Sequence, residues 1–573
     1  MKKLKILGLV LFLVGFGIFN SLFFIHQYSI RQVDTSIYLS ERQDSLFHHL
    51  SEDFSQEIYF SSFSFANKLS ELIDQINDFQ LKRYSLTPDE INRLTELYQE
   101  SLTFGMIGIE DIFDKSEPGQ FKANAFKNFG GWLEGRTFSN AEELRTSIEA
   151  VSENIKLYGV INQKGIDRYK KKDLLYTLTK QSTFGRAREH NLLMFFLSIG
   201  LSIIGAFIYV IIPDKKQQQV YKSSISNRGW MGILTGTYLI LFYIILYYFP
   251  QYMTGWVILA DPVSMFIKGS EAGPFFLYGL LYTISILVMG IRMLLKYPNN
   301  RYQQIRTLSV MFFQTAFAFL IPEILIRLNK PYFDFKNIWP LDYDFFFDSQ
   351  LNELLSHGSL GLFMLGWGIF LILLGVPVLV YFFGKRWYCS WVCGCGGLAE
   401  TLGDPFRQLS DKTLKAWKAE RIVIHAVLVL SIIMTIGVVY TYWTGESNFL
   451  GINTYNLREA YGFWIGAAFA GVIGTGFYPL MGNRVWCRFG CPLAAYLGII
   501  QRFKSRFRIT TNGGQCISCG NCSTYCEMGI DVRWYAQRGQ NIIRASCVGC
   551  GVCSSVCPRG VLKLENKDEK TRL

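Results

Sequence analysis

Eight apolar stretches constrain this chain more than any other feature, at roughly 6–27, 191–213, 230–250, 275–295, 309–328, 360–383, 421–443 and 461–481. Each is close to the ~20 residues that cross a bilayer as a helix. In hydrocarbon the backbone must satisfy its own N–H and C=O groups, so such stretches fold as packed helices. At 573 residues, half of them hydrophobic, the chain is too long for one ordinary core. The expected fold is mainly α: a multi-pass helical membrane protein with attached soluble parts.

The first stretch follows Lys2, Lys3 and Lys5, and no small-residue cleavage site comes after it. It reads as a retained signal anchor with a cytoplasmic N-terminus. Eight crossings return the C-terminus to the cytoplasm. Lys215, Lys216, Lys222 and Arg228 then fall inside, as do Lys385, Arg386, Lys412, Lys415, Lys418 and Arg421. Arg484, Arg488, Arg502, Lys504, Arg506 and Arg508 are inside too, while Asp334, Asp342, Asp344, Asp348 and Glu353 lie in an outer segment, 329–359. That is the positive-inside pattern, and a bacterial inner membrane is the expected location. The net charge of +12 is mostly a topology signal, so the lipid bilayer is the partner it implies and nucleic acid is not. The basic run after Cys491 also suits anionic lipid head groups.

The domain order follows. Residues 1–28 form the anchor, 29–190 an extracytoplasmic helical domain and 191–383 the second to sixth crossings. Residues 384–509 hold a duplicated cysteine motif and the last two crossings, 510–565 a small α+β domain, and 566–573 a charged tail. In the outer domain Thr87-Pro88-Asp89-Glu90 offers a capping box with Pro at the first helical position. Ser139 followed by Glu142 opens a second helix; Pro118-Gly119, Gly130-Gly131 and Gly105 mark turns. His48 and His49 are adjacent, an awkward spacing for two ligands on one helix face, and read as a solvated pair.

All thirteen cysteines lie at or beyond Cys389, on the expected cytoplasmic side where thiols stay reduced. Eight form two runs, Cys516-x2-Cys519-x2-Cys522-x3-Cys526 and Cys547-x2-Cys550-x2-Cys553-x3-Cys557-Pro558. A [4Fe–4S] cube needs four thiolates, and in two-cluster ferredoxins the fourth cysteine of each run serves the other cube. Cys516, Cys519, Cys522 and Cys557 are therefore paired around one cluster, and Cys547, Cys550, Cys553 and Cys526 around the other. Zinc sites favour paired C-x2-C motifs with one long spacer, and fit poorly.

The other five cysteines form a second pattern. Gly384-Lys385-Arg386-Trp387-Tyr388-Cys389-x3-Cys393 and Gly482-Asn483-Arg484-Val485-Trp486-Cys487-x3-Cys491 stand 98 positions apart. Both continue into Leu-Ala-x-x-Leu-Gly, the first copy with three extra residues in the stretch holding Cys395. An internal repeat is implied. Spacing i, i+4 would put both sulfurs of a pair on one helix face. Cys389, Cys393, Cys487 and Cys491, with Cys395, are candidates for a third iron–sulfur centre, for a thiol or copper-handling site, or for structural cysteines.

At these residues the sequence resembles the membrane polyferredoxins related to NapH, NosR and CcoG, well over 360–565 and in outline before that. The resemblance implies C-x3-C-P motifs on membrane helices joined to a cytoplasmic pair of ferredoxin clusters. Three departures stand out. Gly394-Cys395-Gly396 replaces the proline after the second cysteine, Glu527 replaces the proline after Cys526, and the outer domain lacks the [ST]-G-A-[ST] flavin acceptor of NosR-like proteins.

In the membrane half, Glu323 is a candidate proton or quinone ligand, with Arg327 one turn later as the alternative structural partner. His357 and His425 fall at opposite ends of their helices, too far apart for a shared haem. The aromatic segment 331–347 reads as an interfacial belt, or more sharply as a docking edge or the wall of a quinone pocket. No acid–base constellation appears, so no catalytic residue is assigned and bond-making chemistry is not expected. The leading functional reading is a membrane electron-transfer oxidoreductase component, exchanging electrons with the quinone pool or a membrane redox partner and with an unidentified protein donor or acceptor. A metalloenzyme maturation factor acting on a metal or thiol at the C-x3-C site is the alternative. A redox-sensing regulator comes last.

Overall fold

A computed structural model of the chain describes residues 2–30, 39, 41–55, 57–99, 101–105, 109–161, 166–212 and 228–566. Lys215, Lys216, Lys222 and all of the charged tail but Asn566 lie outside the described residues. Two compact units emerge, one of 1–19, 191–249 and 256–573, the other of 20–190 and 250–255.

The smaller unit is helical, with a core that includes Phe65, Leu69, Ile73, Leu174 and Leu178. Its ends are joined where Gln27–Tyr28 pairs antiparallel with Thr183–Phe184. Helix Pro88–Tyr98 opens on the expected capping box: Thr87 N–H donates to Glu90 Oε2 at 2.7 Å and Glu90 N–H donates to Thr87 Oγ1 at 3.2 Å. The next expected box slips by one residue. Asn140 caps helix Ala141–Ile161 by accepting from Glu143 N–H at 2.8 Å, and Glu143 accepts from Ser139 N–H at 2.9 Å. Pro118-Gly119 is not a turn but the first turn of helix Glu117–Gly130, capped by Ser116, because proline's missing N–H costs nothing there.

Among the described residues, seven helices are long and apolar enough to cross a membrane: Lys2–Ser21, Asn191–Ile211, Trp230–Tyr248, Pro274–Lys296, Arg301–Arg327, Gly358–Phe383 and Leu414–Thr444. The chain is a multi-pass membrane protein. Large apolar side chains such as Leu373 and Ile422 face outward, 66% and 71% exposed, as lipid contact requires. Small residues let helices approach closely. A Cβ on Gly15 would stand 2.6 Å from the Ser198 carbonyl oxygen, so helices Lys2–Ser21 and Asn191–Ile211 meet backbone to backbone.

The eighth apolar stretch is helical through Thr454–Tyr461, Gly462–Ile473 and Gly474–Gly476, then breaks at Phe477 before the short helix Tyr478–Met481. Its glycines lower its apolarity, and it is not among the seven. They also admit neighbours: Tyr247 closes on Gly471 and Tyr343 on Gly466.

The connection between Arg327 and Asp348 enters the helix bundle, where its aromatic segment 331–347 reads in sequence as an interfacial belt. Trp367 Nε1 donates to the Phe335 carbonyl at 2.9 Å, Trp339 Nε1 donates to Thr435 Oγ1 at 2.9 Å, and the Phe345 ring lies against Gly368. Gly368 is ten residues from the helix start at Gly358, and Thr435 nine from the helix end at Thr444. At 1.5 Å per residue the loop reaches about 14 Å into the bundle. Its apolar side chains are core: Phe333, Ile338 and Phe345 share one apolar cluster with Cys389 and Cys393. Irregular backbone survives at such depth because protein covers it.

The C-terminal part is a small α+β domain. Strand Arg508–Thr511 pairs antiparallel with Leu562–Glu565, Ile509 opposite Leu564, and short helices Asn521–Thr524 and Val552–Ser555 carry the third cysteine of each triplet.

Candidate metal centres

Among the described residues, three small voids are lined by cysteine. The first has Cys516, Cys519, Cys522 and Cys557 on its wall. The second has Cys526, Cys547, Cys550 and Cys553. Each of these two thus takes three cysteines from one run and the fourth from the other. The third has Cys389, Cys393, Cys395, Cys487 and Cys491.

Local backbone explains the first two. Each triplet wraps its void by turning left-handed on both sides of its second cysteine: Gly549 and Gly551 at φ 65° and 75°, Ser518 and Gly520 at φ 58° and 79°. Ser518 pays a steric penalty that Gly549 avoids. Gly549 has a further reason, since a Cβ there would stand 2.6 Å from Arg386 Cβ.

The third void is built differently from the single helix face expected. Cys389 ends the short helix Arg386–Cys389, and Cys393 is the cap residue that starts helix Gly394–Glu400. In the second copy Cys487 lies in the π-wound turn Trp486–Gly490 and Cys491 caps helix Pro492–Lys504, its sulfur accepting from Ala494 N–H at 3.4 Å. Both second cysteines therefore sit at helix N-termini; the hydrogen bond with Cys395 lowers the Cys393 thiol to about 6, while burial pushes the Cys491 thiol well up. In the Gly394-Cys395-Gly396 stretch, Gly396 makes room: a Cβ there would stand 2.0 Å from the Cys389 carbonyl oxygen.

The thiols are progressively more enclosed from the first void to the third. Cys519 is exposed and only Cys522 of its set is buried; in the third void all but Cys395 are buried. Burial pushes the Cys389 thiol up to about 12 and those of Cys547 and Cys550 to about 11 and about 12. Four thiolates crowded into such a space need a cationic core to neutralise them, and this donor set fits an iron–sulfur cluster.

Between the second and third voids lies a buried ionic network that sequence reading missed. Arg484 Nη2 pairs with Glu400 Oε1 at 2.6 Å and Glu527 Oε1 at 3.0 Å, and its Nη1 is 3.6 Å from Cys487 Sγ. Arg407 Nη1 pairs with Glu527 Oε2 at 2.7 Å and lies 3.9 Å from Cys550 Sγ. Arg306 also pairs with Glu400. Arg407 and Lys296 both hold Asp404, at 3.3 and 2.7 Å. Burial opposes ionisation of Glu527, yet Arg407, Arg484 and Arg306 hold its carboxyl down to about 2. Glu400, Glu527 and Cys550 converge as a cation site would, but arginines already occupy the two carboxylates. Arg484 and Arg488 are therefore not free surface charges; Arg488 Nε is 2.7 Å from Glu420 Oε2. The faint signal was Glu527, standing where the resembling family has proline.

The remaining candidates separate. Glu323 is buried, its Oε2 without a hydrogen-bond partner among the described residues, and Arg327 Nη1 instead donates to the Phe266 carbonyl. His357 and His425 each bond locally, to the Glu353 and Arg421 carbonyls. His48 lies 3.6 Å from Asp44.

A family profile described as a 4Fe-4S binding domain matches residues 365–413 and 462–510, once over each copy of the C-x3-C motif. A second, a 4Fe-4S dicluster domain, matches residues 508–558. Over 170 residues the chain is 24% identical to YccM of Escherichia coli (strain K12), whose name assigns it to electron transport; the match covers 28% of this chain and 47% of that one. Over 154 residues it is 25% identical to the methylamine utilization ferredoxin-type protein MauN of Methylobacillus flagellatus, covering 26% and 50%. The chain thus spans about half the length of the curated relatives it matches. No solved structure matches it.

Proposed function

We propose that the chain is a membrane polyferredoxin, a reading supported by its matches to 4Fe-4S domain profiles and to relatives named for electron transport and as ferredoxin-type, and that it relays single electrons between the quinone pool and a partner protein through three centres. Cys516, Cys519, Cys522 and Cys557 hold the outermost [4Fe–4S] cluster. Cys526, Cys547, Cys550 and Cys553 hold the middle one. Cys389, Cys393, Cys487 and Cys491 hold the third, with Cys395 beside them.

The observation that carries this reading is the series of three cysteine-lined voids with falling exposure. When bound, the clusters supply reversible one-electron carriers whose potentials follow charge, hydrogen bonding and solvent access. The chain's own residues hold the centres close and set their surroundings. Ser390, next to Cys389, donates to the Val548 carbonyl, next to Cys547, at 2.8 Å. Gln501 donates to the Cys547 carbonyl at 2.8 Å and accepts from Lys385 N–H at 2.7 Å. These bonds, with the Arg484–Glu527–Arg407 bridge, fix the middle site on the membrane site. The exposed Cys519 edge is the face offered to a soluble partner. With helix 454–476 as an eighth crossing, the N-terminus and the ferredoxin domain lie in the cytoplasm of a bacterial inner membrane, and the smaller unit lies outside.

The test is anaerobic purification with iron counting and EPR on the same sample. Three clusters require about twelve irons per chain, and a menaquinone analogue must reoxidise the dithionite-reduced signals. About eight irons with unresponsive signals would remove both the third centre and the quinone link. One observation favours a second reading: Cys395 puts a fifth thiol in a void where a cube needs four. Such a surplus thiol suits a site that handles a metal or a disulfide during assembly of another enzyme. Cys487→Ser separates the readings, since a maturation role predicts loss of a target enzyme with both ferredoxin signals intact.

A further inference from the structure

A cavity of about 620 Å³ opens between helices Lys2–Ser21, Asn191–Ile211, Trp230–Tyr248 and Pro274–Lys296, well inside the size range of small-molecule sites. Its wall is mostly apolar, from residues such as Phe12, Phe16, Leu281 and Val288. Against that wall stand three tyrosines in sequence. The Tyr243 and Tyr278 hydroxyls are 3.4 Å apart, and the Tyr278 and Tyr282 rings meet edge to face at 5.4 Å. Tyr282 ends the line at the third void. Its hydroxyl lies 3.8 Å from where a Cβ on Gly394 would be, and Gly394 joins Cys393 to Cys395. Leu398 and Leu402, from the chain just after Cys395, complete that end of the wall.

From this geometry we infer that the cavity binds the head group of an isoprenoid-tailed quinone and presents it to the third centre. The inference rests on the quinone-linked relay proposed above and gives it a place. Lipid acyl chains need no hydroxyl donors and gain nothing from a wall shared with a cysteine site. A quinone ring needs flat aromatic contact, donors for its two carbonyl oxygens and a short path to a one-electron carrier. The tyrosines supply the first two, and the single layer of Tyr282 between cavity and Gly394 supplies the third. Reduction of the quinone would take two electrons, supplied singly by the iron–sulfur centres that these cysteines would hold, and two protons from water to complete the two O–H bonds of the quinol. Oxidation of the quinol would return both electrons to those centres and both protons to water.

The experiment uses the full chain in lipid nanodiscs, reduced with dithionite and freed of excess reductant, then mixed with a short-tailed menaquinone analogue while cluster absorbance is followed. Leu281→Trp and Ser285→Phe each fill the cavity. The inference expects oxidation by quinone to slow at least tenfold in both, with iron content and dithionite-reducible EPR signals unchanged. Oxidation of both variants at the wild-type rate would overturn the cavity and leave the relay standing. A wild-type protein that quinone does not oxidise would overturn the relay itself. Where a filling variant loses iron, a photoreactive azidoquinone on the wild-type protein decides: labelling within residues 238–243 or 278–289 supports the site, and labelling confined elsewhere, or stoichiometric phospholipid held in the cavity's place, overturns it.

Discussion

Glu527 ties Arg484 to Arg407, and through them the sulfurs of Cys487 and Cys550, at 3.6 and 3.9 Å, share one buried carboxylate. Cluster reduction adds a negative charge, so a carboxylate between two sites lowers both potentials and the guanidinium groups raise them. Glu527→Gln keeps the shape and removes the charge. The expected result is a rise on the order of 100 mV in the middle and third centres, the size of one unit charge about 7 Å away at an effective permittivity of ~20. The outermost centre should move less. EPR-monitored redox titration measures all three, and equal potentials in variant and wild type would reduce the bridge to a structural role.

The cysteine assignment makes a sharper demand. Cys526 lies in the first run but lines the second void. Cys526→Ser should therefore disturb the EPR signal of the cluster held by Cys547, Cys550 and Cys553, and spare that of Cys516, Cys519 and Cys522. Cys487→Ser should remove about four irons per chain and leave both ferredoxin signals. Loss of the first-run cluster in Cys526→Ser would show that each run serves its own cube.

What the sequence disclosed, and what it hid, follows from the range of each signal. Bilayer-length apolar runs and C-x2-C-x2-C-x3-C spacing are written within a few dozen consecutive residues, so both were legible. The Thr87–Glu90 box was legible for the same reason. The Arg306, Glu400, Arg407, Arg484 and Glu527 network joins residues up to 221 positions apart (527 − 306), and no local pattern marks such pairing. The burial of the loop between Arg327 and Asp348 was hidden as well. Its aspartates, lysines and proline read as an outer connection, and only the surrounding helices make it core.

That loop carries a second prediction about charge. Lys336 Nζ pairs with Asp334 Oδ2 at 2.8 Å, the two side chains only 10% and 18% exposed. Breaking one partner of a buried pair leaves the other charge uncompensated, at a typical cost of ~3–5 kcal/mol. Lys336→Met alone should lower the thermal midpoint of the detergent-solubilised protein by several degrees, and Lys336→Met with Asp334→Asn should recover most of the loss. Failure of the double variant to recover would show that Lys336 acts on something other than Asp334.

In the smaller unit, His26 predicts a pH dependence of its own. The side chain is 2% exposed, and burial foremost, then Arg188, lower its pKa from 6.5 to about 4. Between those values the unfolded chain takes up a proton that the folded chain refuses. The contribution to stability is thus complete above about pH 6.5 and falls as the pH drops toward 4, by about 1.4 kcal/mol per pH unit. His26→Leu removes the titrating group while keeping an apolar filling, so its unfolding midpoint should decline less over that window than the wild type's. Differential scanning fluorimetry from pH 7 to pH 4 compares the two slopes. Parallel slopes would mean that His26 already binds its proton in the folded state, and that Arg188 and the apolar surroundings tolerate the charge.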